Sequence, residues 1–242
     1  MAWDERIDEL QRRRQWAEAL GGEANVARHR EQGRLTVRER IARLTDAGSF
    51  QEVGMLTGSG QYEDGKLVGV TPAPYVMGIA RIDGRPVAIG GADFTVKGGI
   101  SWGPDRRKGG QGGFIEDLAH RYRIPLVNLI DGSGGSVTSA KNGLDFKIAW
   151  PSAEWGSLPL EGGVAAAYRR EIEAAPDPKA REAELEAELR ALASPFRTAE
   201  AFAVEDIVDP RETRLYLCRF VEAAQARIRT TLGPKLRAGV RP

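Results

Sequence analysis

The sequence predicts an α/β fold. Three observations carry that reading: a strand–turn–strand pattern around Asp83-Gly84, an apolar run over 124–130 that ends on Asp131, and Asp-Pro helix starts at 177–178 and 209–210. With 242 residues the chain can form one large domain or two small ones, and either buries a real core. Lys and Arg total 35 against 34 Asp and Glu, a net charge of +1, which lends no support to a general nucleic-acid or membrane-surface binder. Apolar stretches are only a few residues long and the first residues are polar, so neither a membrane span nor a secretory signal is expected. One cysteine, Cys218, excludes an intramolecular disulfide and a cysteine-based metal cluster. With only His29 and His120, no metal site is expected, and a soluble protein of a reducing compartment is.

Residues 2–30 carry Trp3, Ile7, Leu10, Ala17 and Leu20 at helical spacing, predicting one amphipathic helix. Its Arg12–Arg14 run reads either as a solvated face or as an anion-contacting patch. A short helix over 36–44 is signalled by Thr36 and Glu39, the spacing of a capping box. Residues 75–82 and 85–90 read as strands joined by Asp83-Gly84, which suits a type I′ turn. A helix over 115–122 precedes the run at 124–130, which fits a strand buried on both faces. From Gly162 onward the chain reads as helical. Asp177 and Asp209 cap helices that begin with Pro, and Glu212 gives the second a box-like start. Leu185, Leu189 and Leu192 mark one packing side, and Leu217, Val221, Ala224 and Ile228 mark another, with Cys218 beside it as a small buried side chain.

Glycine pairs at 90–91, 98–99, 109–110, 112–113 and 134–135 either let backbone N–H groups approach a ligand or make ordinary turns. Asp131-Gly132-Ser133-Gly134-Gly135 follows a strand, where α/β proteins bind ligands. Asp131 stands where a nucleophile elbow needs Gly, and neither a P-loop Lys-Ser/Thr nor a dinucleotide fingerprint is present there. Backbone donors that stabilise developing negative charge need neither histidine nor metal. Lys97, Arg106, Arg107 and Lys108 make a local cationic cluster, suited to the phosphates of a coenzyme A thioester or simply to a solvated loop.

Several stretches together resemble the acyl-CoA carboxylase β subunit, the carboxyltransferase family of propionyl-CoA and methylcrotonyl-CoA carboxylases. Gly33-Arg34-Leu35-Thr36-Val37-Arg38-Glu39-Arg40-Ile41 is similar to the family's opening segment, followed by Asp46-Ala47-Gly48-Ser49-Phe50-Gln51-Glu52 at the family's distance. Asp93-Phe94-Thr95-Val96 with Gly98-Gly99 resembles its DFTV-x-GG segment, and 124–131 with Ser133-Gly134-Gly135 its strand and glycine turn. Ala149-Trp150-Pro151-Ser152-Ala153-Glu154, Gly162-Gly163-Val164-Ala165 and Asp209-Pro210-Arg211-Glu212-Thr213-Arg214 are similar to segments near its C-terminal end.

The resemblance implies remnants of two crotonase-like domains (ClpP/crotonase superfamily): an acyl-CoA side over 1–138 and a helix-rich biotin side over 139–242. It implies a carboxyl group passed from carboxybiotin, borne on a biotin carrier or biotin carboxylase subunit, to the α-carbon of an acyl-CoA. Coenzyme A thioester is then the substrate, no metal belongs to this subunit, the location is cytoplasmic, and assembly is a homo-oligomer, in the family a trimer of dimers. Lys97, Gly98, Gly99, Ser133, Gly134 and Gly135 fall to the acyl-CoA side; Trp150, Pro151, Ser152, Ala153, Glu154, Gly162 and Gly163 fall to the biotin side. Family members are about twice this length. The central half, with both oxyanion-hole segments, has no counterpart here, and the matches join across 136–142. No catalytic residue can therefore be named. The alternative is a non-catalytic, carboxyltransferase-like assembly subunit or internally deleted remnant.

Overall fold

The computed structural model describes residues 3–100, 113–131, 146–154 and 160–230. Helix α1 spans Trp3–Glu18 and α2 spans Glu23–Glu31, so the helix expected over 2–30 is broken in two. At the break Leu20 and Gly22 take positive φ (56° and 87°), and between them Gly21 lies against the backbone of the distant Thr95. Helix α3, Val37–Leu44, starts as expected, with Thr36 Oγ1 accepting from Glu39 N (3.3 Å) and Glu39 Oε2 accepting from Thr36 N (2.7 Å). Thr36→Ala is expected to cost about 1 kcal/mol of stability, read from urea unfolding.

Strands β1 (Gln51–Glu52), β4 (Tyr75–Ile82), β5 (Arg85–Ala92) and β6 (Leu126–Leu129) form a sheet in the order β1-β4-β5-β6. Asp83 and Gly84 both have positive φ (52° and 72°), as the type I′ hairpin requires. Asp46, in the second stretch that carried the resemblance, receives the N–H groups of Asp83 (3.1 Å) and Gly84 (2.8 Å). A second hairpin, β2 (Gly58–Glu63) with β3 (Lys66–Pro72), was not foreseen because glycines interrupt its alternation. Strand β5 pairs antiparallel with β4 and parallel with β6.

Side chains alternate across this sheet. Val76, Ala80, Ile82, Val87, Ile89 and Val127 meet Leu20, Val37 and Ile41 on one face. Tyr75, Met77 and Ala88 meet Ile115, Leu118 and Ala119 of α4 (Phe114–Tyr122) on the other. The strand expected to be buried on both faces is shorter than the run that predicted it. Val127 is buried, its neighbours are half-buried and Ile130 is 45% exposed, because β6 is the last strand of its sheet among the described residues.

The remainder is helical, apart from a short parallel pair, β7 (Ile148–Ala149) with β8 (Asp206–Ile207). Helix α5 (Leu160–Ala167) begins two residues before Gly162, so that glycine lies within its first turn. Helices α6 (Arg169–Ala174) and α7 (Pro178–Leu192) pack on α5 through Ile172, Leu185 and Val164, whereas Leu192 is exposed. Asp177 caps α7 as expected, accepting from Lys179 N and Ala180 N. Helix α8 (Pro195–Glu200) leads to β8. Asp209 accepts from Arg211 N rather than completing a box with Glu212, and a 3-10 turn over Pro210–Glu212 runs into α9 (Thr213–Thr230). Val221, Leu217 and Cys218 of α9 pack on the first face of the sheet, so the last helix closes the core built by the first half. Arg214 fastens this joint, donating to Leu44 O (2.5 Å) and Asp46 Oδ1 (2.7 Å). Among the described residues no helix is long and apolar enough to cross a membrane.

Candidate functional site

Parallel strands β5 and β6 end at Ala92 and Leu129 on the same side of the sheet, the edge at which open α/β sheets bind ligands. The chain leaving β5 folds at once into a tight loop. Asp93, 1% exposed, accepts from Thr95 N (3.0 Å) and Thr95 Oγ1 (2.6 Å), and Thr95 Oγ1 in turn accepts from Gly21 N (2.9 Å). This relay fixes the Thr95 hydroxyl and ties the loop to the corner between α1 and α2. Next come Lys97, Gly98 and Gly99, three successive residues with positive φ (49°, 62° and 76°). Gly99 lies against the end of β6, where a Cβ would stand 3.0 Å from Asp131 O. Glycine is needed there for the backbone angle and for the approach. Lys97 is exposed.

Around this loop stand groups that spacing alone did not single out. Phe94 stacks on the buried His29 ring with centroids 6.0 Å apart, and the Arg34 guanidinium lies 5.5 Å from the Phe94 ring centre. His29 Nε2 is 3.2 Å from Leu35 O; a carbonyl only accepts, so Nε2 carries the proton. Arg40, also buried, donates to Ala92 O (3.1 Å) and pairs with Asp131 (2.9 Å). A signal for Arg40 exists in the sequence. It shares the inward face of α3 with Val37, Ile41 and Leu44, and a cation in an apolar stripe calls for a buried partner.

Burial raises the Asp93 carboxyl above its ordinary value of 3.8, against the lowering effect of the Thr95 hydrogen bonds and of the charges on His29 and Arg38. The folded state thus holds this proton more tightly than the unfolded chain does. The stability Asp93 contributes is full below 3.8 and is lost as pH rises through the raised folded value. Asp93→Asn keeps an acceptor without the charge, so at neutral pH it is expected to be at least as stable as the parent, the gap closing on acidification. Thermal unfolding from about pH 3 to about pH 7.5 checks this, and a gap that widens toward low pH contradicts it.

Of the acyl-CoA-side residues expected from the sequence, Lys97, Gly98 and Gly99 are gathered on this loop. Ser133, Gly134, Gly135, Arg106, Arg107 and Lys108 lie outside the described residues. On the biotin side, Trp150 donates its indole N–H to Thr213 Oγ1 (2.9 Å) at the start of α9. Pro151, Ser152 and Glu154 are exposed, Glu154 lying 3.5 Å from Arg190 of α7. Ala153 is half-buried, and Gly162 and Gly163 lie in the first turn of α5. The first set follows β5 at the sheet edge; of the second, Gly162 and Gly163 lie on α5, which packs with α6 and α7, and Trp150 is bonded to the start of α9. Among the described residues no three of His, Cys, Asp and Glu converge as a metal site.

Comparison with known proteins agrees with the fold. The 12S subunit of methylmalonyl-CoA carboxyltransferase from Propionibacterium freudenreichii subsp. shermanii is 42% identical over 162 residues, 66% of this chain and 29% of that one. The propionyl-CoA carboxylase beta chain of Cereibacter sphaeroides is 35% identical over 138 residues, 54% of this chain and 25% of that one. The biotin-dependent 3-methylcrotonyl-coenzyme A carboxylase beta1 subunit of Mycobacterium tuberculosis is 35% identical over 120 residues, 49% of this chain and 21% of that one. These alignments take in less than a third of each relative, and the 242-residue chain is about half their length. A solved structure of transcarboxylase 12S, a hexamer with methylmalonyl-coenzyme A and methylmalonic acid bound, superposes with a TM-score of 0.58 at 24% identity. That match covers 85% of this chain and 44% of that one, and it gives the fold as crotonase-like. The carboxyl transferase domain family matches residues 28–136 and 124–238, two stretches that share residues 124–136, strand β6 among them. The chain belongs to the carboxyl transferase domain family.

Proposed function

We propose that this chain is a carboxyltransferase subunit, or part of one, of a biotin-dependent acyl-CoA carboxylase. It carries the acyl-CoA side of the site at the C-terminal edge of β5 and β6. The observation that supports this most is the Lys97–Gly99 turn, seated on Asp131 at the end of a parallel strand pair. Such a turn presents backbone to a thioester at close range, and exposed Lys97 offers a cation to its phosphates. By the sequence resemblance we assign Ser133, Gly134 and Gly135 to the same side, and by their charge Arg106, Arg107 and Lys108 to the same ligand phosphates; these residues lie outside the described ones.

We place the biotin side at Trp150–Glu154 with Gly162 and Gly163. Donors suited to a ureido carbonyl stand there: the exposed Ser152 hydroxyl and the first-turn amides of α5, aided by the helix dipole. The Trp150 N–H is engaged by Thr213, so Trp150 shapes this surface rather than donating to a ligand. When bound, carboxybiotin carried on a partner subunit would supply the carboxyl group. This chain would hold the thioester against the backbone of the Lys97–Gly99 turn. Its assembly is a homo-oligomer in the cytoplasm. Equilibrium titration with propionyl-CoA tests the reading: saturable binding to one site per chain supports it, and no binding at millimolar ligand contradicts it.

A second reading, a non-catalytic assembly subunit or internally deleted remnant, is favoured by one observation: 85% of this chain superposes on only 44% of the transcarboxylase 12S chain. It shares the acyl-CoA-binding expectation and differs in turnover.

A further inference from the structure

Arg40 occupies a core position of α3, 8% exposed, where an apolar side chain would pack at no desolvation cost. Its Nη2 reaches Ala92 O, on the last residue of β5, at 3.1 Å and Asp131 Oδ2, two residues beyond β6, at 2.9 Å. One guanidinium nitrogen therefore ties the ends of the two parallel strands together. Its Nε is buried with no hydrogen-bond partner, so the group is not placed there to satisfy its own donors. Asp131 is held by its side chain to Arg40 and lies by its carbonyl against Gly99. The pair thus connects α3, both strand ends and the Lys97–Gly99 turn.

We propose that Arg40 and Asp131 are positioning residues for the acyl-CoA site: their ion pair sets the spacing of the β5 and β6 ends and thereby the seat of the Lys97–Gly99 turn. The proposal rests on the acyl-CoA reading above. The pair acts by preorganisation. If the seated turn falls to about a tenth of the population, the affinity for ligand falls about tenfold with no contact to ligand removed.

The test is a cycle of Arg40→Met, Asp131→Ala and the double variant. Each is titrated with CoA and with propionyl-CoA and followed by hydrogen exchange of residues 93–100 without ligand. The double variant buries no unpaired charge and so remains informative if a single variant fails to fold. The expected result is an affinity loss of about tenfold and faster exchange over 93–100 in each variant, the double being no worse than a single because both changes remove one interaction. Arg40→Lys, which keeps the charge and discards the unpartnered Nε, is expected to restore slow exchange and most of the affinity. A double variant with parental affinity and exchange, or losses that multiply, overturns the proposal. If the parent chain itself binds no CoA, the functional reading has failed, and exchange over 93–100 still decides whether the ion pair seats the turn.

Discussion

Assayed alone for carboxyl transfer between an acyl-CoA and a biotinylated carrier, the 242-residue chain is expected to turn over at least about 1,000-fold more slowly than an intact carboxyltransferase. Removing one oxyanion donor commonly costs about 100- to 1,000-fold, and the resemblance assigns no counterpart here to either oxyanion segment. Mass spectrometry of the acyl-CoA product, on a chain of verified mass, gives the rate. Turnover comparable with an intact enzyme contradicts the argument and returns the remnant reading to the catalytic one.

Gly21→Ala is expected to cost about 3 kcal/mol of stability and to weaken acyl-CoA binding with it. A Cβ at this position would stand 2.0 Å from Thr95 O, a backbone atom that cannot turn aside. Either the α1–α2 corner lifts from the loop, losing the Gly21 N–H donated to Thr95 Oγ1, or the loop moves away from the strand ends. Gly22→Ala is the control. Gly22 has φ 87° and ψ 165°, a region nearly closed to other residues, yet a Cβ there meets nothing within 4 Å. It is expected to cost about 2 kcal/mol through backbone strain alone and to leave the Asp93–Gly99 loop in place. Urea unfolding and propionyl-CoA titration of both variants separate the two effects. Equal affinity for both contradicts the coupling of corner and loop.

Much of the fold could be read from the residues because its signals were local. Thr36 with Glu39, Asp83 with Gly84, and Asp177 before Pro178 each encode a geometry in two to four neighbouring side chains, and each formed. The readings that failed depended on distant partners. The break between α1 and α2 exists because Thr95, 74 residues away, fills the space beside Gly21. Strand β6 reads as doubly buried in isolation, and only the sheet order makes it the last strand among the described residues. The β2–β3 hairpin hid behind its glycines, although Asp64-Gly65 carries the same turn signal as Asp83-Gly84.

The site was legible in a different way. The stretches that carried the resemblance prove to be joints. Asp46 holds the β4–β5 turn, Arg214 holds Asp46, Thr213 holds Trp150, and Arg40 holds Asp131. Their side chains fasten the β4–β5 turn and Trp150 to the start of the last helix and the ends of β5 and β6 to α3, so the motifs mark architecture as much as chemistry. The sequence showed which residues belong together without showing which of them bear on a ligand. His29, Arg34 and Arg40 reach the loop only through the folding of α2 and α3 over the end of the sheet.

Hydrogen exchange with and without propionyl-CoA tests the central claim most directly, since it locates the ligand without requiring turnover. The account predicts slowed exchange over 93–100, at the Lys97–Gly99 turn beside Asp131, with the exposed β2–β3 hairpin over 58–72 unchanged. Slowed exchange confined to the hairpin, or no change over 93–100 at saturating ligand, would contradict it.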